Sequence, residues 1–177
     1  LSWAPLYIHT PSSFLYSFIS IAWAVTVAQR IIHKRIRRHI VAIAVFLLML
    51  FIVRICRWML FTHSAIANRY LYYLFYISFI ALPMLSFSAA SYVSRDESAD
   101  MPALIKGFWG VTGLLMLSVI TNDIHHFVLS FTKASDNSEH TTYYWLYYVI
   151  FVWVFVVTLG SFIMLIKKCK LSQCRKK

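Results

Sequence analysis

Near the middle of the chain, Asn122-Asp123-Ile124-His125-His126 gathers side chains able to hold a metal, move a proton or recognise a polar ligand. Two histidines and a carboxylate are compatible with zinc or iron. If a helix continues through the group, Asn122 shares a face with His125 and His126, and Asp123 meets His126 three residues on. Adjacent side chains on a helix point about 100° apart, however, so His125 and His126 rarely bind one ion without distortion. The same residues also read as a hydrogen-bonded helix end, or as part of a ligand- or signal-sensing site. A second pair is Arg54 and Arg57. An arginine costs roughly 2.5–3.5 kcal/mol at the centre of a membrane helix and is usually turned inward. Counted from Ile40, Arg54 lies roughly 21 Å along its helix. At that depth it either snorkels to water or pairs with Asp123.

The elements that carry these groups follow from composition. The 177 residues are 60% hydrophobic, 18% aromatic and 13% charged, with a mean hydropathy of +0.69. Average soluble domains are about a quarter charged. The stretches 40–53 and 145–166 contain no charge at all, and such runs need lipid around them. A net charge of +11 would suggest nucleic acid in a soluble protein, but here it lies between apolar spans. The expectation is therefore an all-α integral membrane bundle forming a single domain over 1–177. Its five spans fall at about 14–32, 40–61, 70–93, 103–124 and 143–166. Pro11, Ser12 and Ser13 precede the first, Pro83 should kink the third, and 132–142 reads as a polar loop.

Lysine and arginine are retained on the cytoplasmic side of short loops. Arg30, Lys34, Arg35, Arg37 and Arg38, then Arg95 and Lys106, then the six basic residues of 167–177 fall on one side; Arg54, Arg57, Arg69 and Lys133 fall on the other. This bias predicts an outside N-terminus and a cytoplasmic C-terminus. Tyrosines and tryptophans at 70–76 and 143–148 mark the outer ends, where amphipathic rings favour the headgroup level.

Other features point to packing or topology. Gly107, Gly110 and Gly113 would let another helix approach closely. The run 33–39 serves as a topology signal or an anionic-lipid patch. Cys56, Cys169 and Cys174 form no even framework and are expected as reduced thiols, the last two within reach of acylation. Leu1 in place of methionine suggests a processed or excised piece of a longer chain. No phosphate-binding glycine loop, nucleophile elbow or HExxH motif is present in the sequence.

Two segments carry a likeness to a known family. Arg69-Tyr70-Leu71-Tyr72-Tyr73-Leu74-Phe75-Tyr76-Ile77 with Leu82-Pro83-Met84-Leu85, and 117–128 with its Thr121-Asn122-Asp123-Ile124-His125 core, resemble the seven-transmembrane N-terminal sensor region of bacterial histidine kinases and related regulators. The resemblance implies Asn122, Asp123 and His125 as a motif facing Arg69, Tyr70 and Tyr73. It also implies a role in two-component signal transduction, with an output domain in the same chain. Five spans stand here where that family has seven, and nothing in 1–177 resembles a phosphoacceptor helix or an ATP-binding domain.

The resulting expectation is a multi-pass plasma-membrane sensory domain that is not itself an enzyme and needs no cofactor. Its sensing residues would be Asn122, Asp123, His125, His126, Arg54, Arg57, Arg69, Tyr70 and Tyr73. Its partners would be the lipid bilayer, a small-molecule or peptide ligand, a cytoplasmic output domain and a second copy in a homodimer, with no nucleic acid. A small-solute or ion transporter or channel subunit is the alternative, and Ser86, Ser88, Ser91, Thr112 and Ser118 are the polar residues it would use. A metal- or haem-binding membrane enzyme built on Asp123, His125 and His126 is the third reading.

Overall fold

A computed structural model describes residues 4–30, 34–59, 65–93, 101–133 and 139–174. Its long helices are α1 (Ala4–Arg30), α2 (Lys34–Met59), α3 (Ala65–Tyr92) and α4 (Ala103–Ile120). The one-turn helix α5 (Asn122–His125) and a hairpin of β1 (Leu129–Lys133) and β2 (Glu139–Tyr143) lead into α6 (Trp145–Cys174). Among the described residues four helices are long and apolar enough to cross a membrane: Lys34–Arg57, Ile66–Tyr92, Ala103–Ile120 and Trp145–Lys168. The apolar stretch of α1 is shorter, Leu15–Val27.

Three local expectations change. The first helix begins at Ala4 and runs through Pro11, Ser12 and Ser13, so these residues do not start it. The fourth helix stops at Ile120 because Thr121 leaves helical geometry. The segment 132–142 is not simply a loop. Leu129 pairs with Tyr143, Ser130 with Thr142 and Phe131 with Thr141 in an antiparallel ladder. Threonine and tyrosine favour such extended pairing, and Thr142 Oγ1 adds a 3.2 Å bond to the Ser130 carbonyl. Helix α3 continues through Pro83.

Helix α3 is the axis of the molecule. It packs against α2, α4 and α6, while α1 packs on α2. Over half of its apolar window, 56%, is enclosed, against 11% to 22% for the other three spans. One core cluster joins Tyr73, Tyr76 and Ile80 of α3 to Leu115 and Val119 of α4, Val128 and Leu129 of the hairpin, and Ile150 of α6. A second joins Met84, Phe87, Ile105 and Val157 toward the opposite end.

Polar atoms inside this apolar bundle are consumed locally, since an unpaired buried group costs more than a bond gains. Trp109 Nε1 donates to Ser88 Oγ (2.9 Å) and Trp153 Nε1 to Thr112 Oγ1 (3.2 Å), pinning α4 to α3 and α6 to α4. Ser91 and Ser118 donate to the Ser88 and Leu115 carbonyls. The two tryptophan bonds join helices, while Ser91 and Ser118 are satisfied within their own. The close glycine approach is at Gly160, where a Cβ would lie 3.3 Å from the Phe87 ring. By contrast, nothing lies within 4 Å of a Cβ built on Gly107, Gly110 or Gly113, so among the described residues no other helix packs on that stripe.

Pairing across helices sorts the charged residues into two ends. Arg57 meets Tyr72, Tyr73 meets Asn122, and Tyr76 meets Tyr147 at the hairpin end. At the opposite end Arg35 lies over the Tyr92 ring, 5.7 Å to its centroid, and His39 stacks beside the same ring. This basic end places positive charge in the first turn of α2, where the helix dipole disfavours it. Local helix stability is therefore not why those residues sit there. Lys168 of α6 closes the same end. Its Nζ donates to the carbonyls of Ala90 (2.9 Å), Ser91 (2.6 Å) and Val93 (2.5 Å), so one ammonium uses three donors to satisfy the orphan end of α3.

Candidate functional site

The cap at the hairpin end is built around Asn122, which is fully buried. Its Oδ1 accepts from the backbone N–H of Val128 (3.0 Å) and Leu129 (3.1 Å), and its Nδ2 donates to the Leu129 carbonyl (2.8 Å) and to Tyr73 Oη (3.2 Å). An asparagine amide has two donors and two acceptor positions, and all four are used. Toward Leu129 it behaves as a peptide group would in a ladder, accepting from the N–H and donating to the C=O. On the other side of the ladder, Tyr144 N–H reaches the Val128 carbonyl at 3.1 Å. Asn122 thus ties the turn after α4 to the first strand and both to α3.

The chain must reverse to permit this. His126 takes the left-handed conformation (φ 52°, ψ 28°), and its N–H closes on the Asn122 carbonyl at 2.8 Å. Such a residue ends a helix turn, and histidine adopts the region more readily than most side chains. The helical turn α5 therefore ends at His125, so Asn122 and His125 share one turn while His126 leaves its face. Among the described residues no three histidine, cysteine, aspartate or glutamate side chains converge on a point that could hold a metal ion.

Asp123 is partly exposed and accepts a short 2.6 Å bond from Tyr73 Oη and a longer 3.4 Å contact from Arg69 Nη1. Tyr73 carries the connection, because it donates to Asp123 while accepting from Asn122. A hydrogen bond to a charged acceptor contributes about 1.5–3 kcal/mol, whereas a solvent-screened pair such as Arg69–Asp123 contributes about 0–1 kcal/mol. Of the two alternatives for Arg54, the pair with Asp123 is not formed. Asp123 turns toward α3 because the break at Thr121 re-aims the residues after it.

His125 is held locally. Phe127 N–H donates to its Nδ1 at 3.0 Å, and its Nε2 lies 3.3 Å from Thr121 Oγ1, a hydroxyl that itself donates to the Leu117 carbonyl. Nδ1 is the accepting side of the ring, and Nε2 faces the threonine oxygen. His126 is exposed. Tyr70 is 61% exposed and meets Tyr73 edge to face at 6.2 Å.

The arginines of α2 form a separate group. Arg57 Nη2 donates to Tyr72 Oη, and the guanidinium carbon lies 3.8 Å from that ring's centroid. Arg54, one turn nearer the centre of the bundle, is exposed and has no hydrogen-bond or ion-pair partner among the described residues. Both line a cavity of about 260 Å³ with Val53, Leu71, Tyr72 and Phe75. Burial pushes the Tyr143 phenol up from its ordinary value, with Tyr72 and Tyr147 adding to the shift and Arg57 opposing it. The end of β2 therefore reaches the same tyrosine–arginine cluster.

Three functional candidates escaped the sequence reading. Tyr72 reads as one belt aromatic among many. Lys168 reads as one more basic tail residue. Asn68 Oδ1 is a buried acceptor with no donor among the described residues, one position from Arg69, and a lone asparagine near a helix start gives no sign of that. Cys56 is a free thiol, while the side chains of Cys169 and Cys174 lie outside the described residues. Comparisons with protein families, with curated proteins and with solved structures returned no match for this chain.

Proposed function

We propose that the chain is a sensory membrane domain of the plasma membrane, with the hairpin end outside and the basic end in the cytoplasm, five spans counting α1, and no catalytic activity of its own. The observation that carries this reading is α6. It starts directly at β2 in the outer cap, runs unbroken for 30 residues, and is gripped by α3 through Lys168 before continuing to Cys174. One rigid element thus reaches from the polar cap to beyond the basic end. A ligand that favoured one arrangement of Tyr73, Asn122 and Asp123 over another would bias how α3 and α6 sit together. The inner end of α6 would deliver that change to a cytoplasmic output domain in the same chain. This is the signalling role that the likeness to histidine kinase sensor regions suggests, and a homodimer would give the unpartnered glycine face of α4 a place.

The test is hydrogen–deuterium exchange of the protein in liposomes, comparing the native chain with Tyr73→Phe. The expected result is altered protection at 167–174 as well as around 122–129. A change confined to the hairpin end, or solute flux through the isolated chain, would overturn the sensor reading.

A further inference from the structure

Two cavities lie against α2 and α3. The first holds Arg54 and Arg57 above Val53, Leu71 and Phe75. The second, of about 430 Å³, lies between α2 and α6 over α3, walled by Ile43, Leu47, Leu82, Ser86, Thr158 and Phe162. On α2 the residues Ile43, Leu47, Arg54 and Arg57 fall on a single helix face, together with Leu50 between them. On α3 the matching face carries Phe75, Phe79, Leu82 and Ser86. Arg54 and Ile43 are eleven residues apart, about 16 Å of helix and roughly half the hydrocarbon thickness.

We infer that the two cavities act as one groove that binds an anionic amphiphile of the outer leaflet, its phosphate or carboxylate between Arg54 and Arg57 and its hydrocarbon tail along α2 into the apolar cavity. The charge argument is specific. Arg57 is oriented by Tyr72 and keeps further donors available, Arg54 lacks a partner among the described residues, and Asp123 is already engaged by Tyr73 and Arg69. Guanidinium groups match phosphate and carboxylate geometry with paired donors. The shape argument is equally directional. A soluble anion would need only the cavity at the arginines, whereas the same helix faces carry apolar residues from there to the second cavity, Leu50 and Leu47 on α2 and Phe79 and Leu82 on α3. Phe162 is 62% exposed, so the lower wall opens sideways and a chain could enter from lipid.

The inference rests on the membrane embedding proposed above and concerns binding alone, so it stands or falls separately from signalling. The probe is phosphatidylglycerol, offered to the detergent-solubilised full chain against phosphatidylcholine, with retained lipid counted by native mass spectrometry. The native chain should retain phosphatidylglycerol preferentially. Arg54→Gln, which leaves Arg57–Tyr72 in place, should lower that preference about tenfold or more, the loss of one charge-assisted hydrogen bond, and Arg54→Lys should restore part of it. Leu47→Trp should weaken retention with both arginines present, by filling the tail path. Thermal unfolding of each variant separates these effects from misfolding. Equal retention of the two lipids by the native chain, an unchanged preference in Arg54→Gln, or displacement of the lipid by soluble glycerol phosphate would overturn the assignment.

Discussion

Replacing Asn122 by alanine tests whether the motif at the end of α4 is a structural clamp. The substitution removes four hydrogen bonds at once. Three of the abandoned partners are backbone groups of Val128 and Leu129, both fully buried. An unsatisfied buried group costs about 1–3 kcal/mol, so the three together cost about 3–9 kcal/mol, with water entering the vacated space drawing the value toward the lower figure. The consequence is local before it is global, because the core cluster of Met84, Phe87, Ile105 and Val157 at the other end is untouched. Amide exchange resolved by residue is the assay. Val128 and Leu129 should lose protection by at least about a hundredfold, the exchange equivalent of about 3 kcal/mol, while α3 near Met84 keeps its protection. Asn122→Asp should be nearly as damaging, because an oxygen would then face the Leu129 carbonyl. Unchanged exchange at Val128 and Leu129 in Asn122→Ala would refute the clamp.

Other outcomes follow from the same geometry. Tyr73→Phe should cost about 1.5–3 kcal/mol in thermal or denaturant unfolding, since it leaves Asp123 without its short bond, whereas Arg69→Gln should cost under about 1 kcal/mol. His125→Phe removes the Nδ1 acceptor of the Phe127 N–H and should raise exchange of that amide. Lys168→Met removes the group that satisfies three carbonyls of α3 and should raise exchange at 92–93 and loosen the inner end of α6, as read by spin-label mobility at Cys174. Gly110→Ala should be neutral or stabilising by up to about 1 kcal/mol in the monomer, since its Cβ meets nothing, whereas Gly160→Ala should gain nothing because the new methyl presses on Phe87.

Long apolar runs made the membrane helices legible, because hydropathy over some twenty residues outweighs every local preference in lipid. The grouping of Arg57, Arg69, Asn122 and Asp123 at one end was also readable, from nothing more than helix lengths and alternating direction. The partners were legible in part. The likeness to the sensor family pointed Asn122 and Asp123 toward Arg69 and Tyr73, which they meet, whereas similar depth alone offered Arg54 as a partner for Asp123, and that pair is not formed. The hairpin was hidden because two five-residue strands that mix threonine with charged and polar residues look like any polar connection beside a membrane span. Asn122 carried the correct position but an ambiguous role, since a buried amide that completes a turn and one that receives a ligand have the same sequence. Lys168 was indistinguishable from its basic neighbours until the end of α3 was placed beside it.

The central proposal is that the cap at the hairpin end and the far end of α6 move as one. Its most direct test is the distance distribution between spin labels at Val93→Cys and Cys174 in a Cys56→Ser, Cys169→Ser background, measured by pulsed electron resonance in lipid nanodiscs with and without Tyr73→Phe. The account predicts a displaced or split distribution when the cap is cut at Tyr73, although that residue lies at the opposite end of the bundle. Superimposable distributions, with the cap itself shown to be loosened by amide exchange, would contradict it.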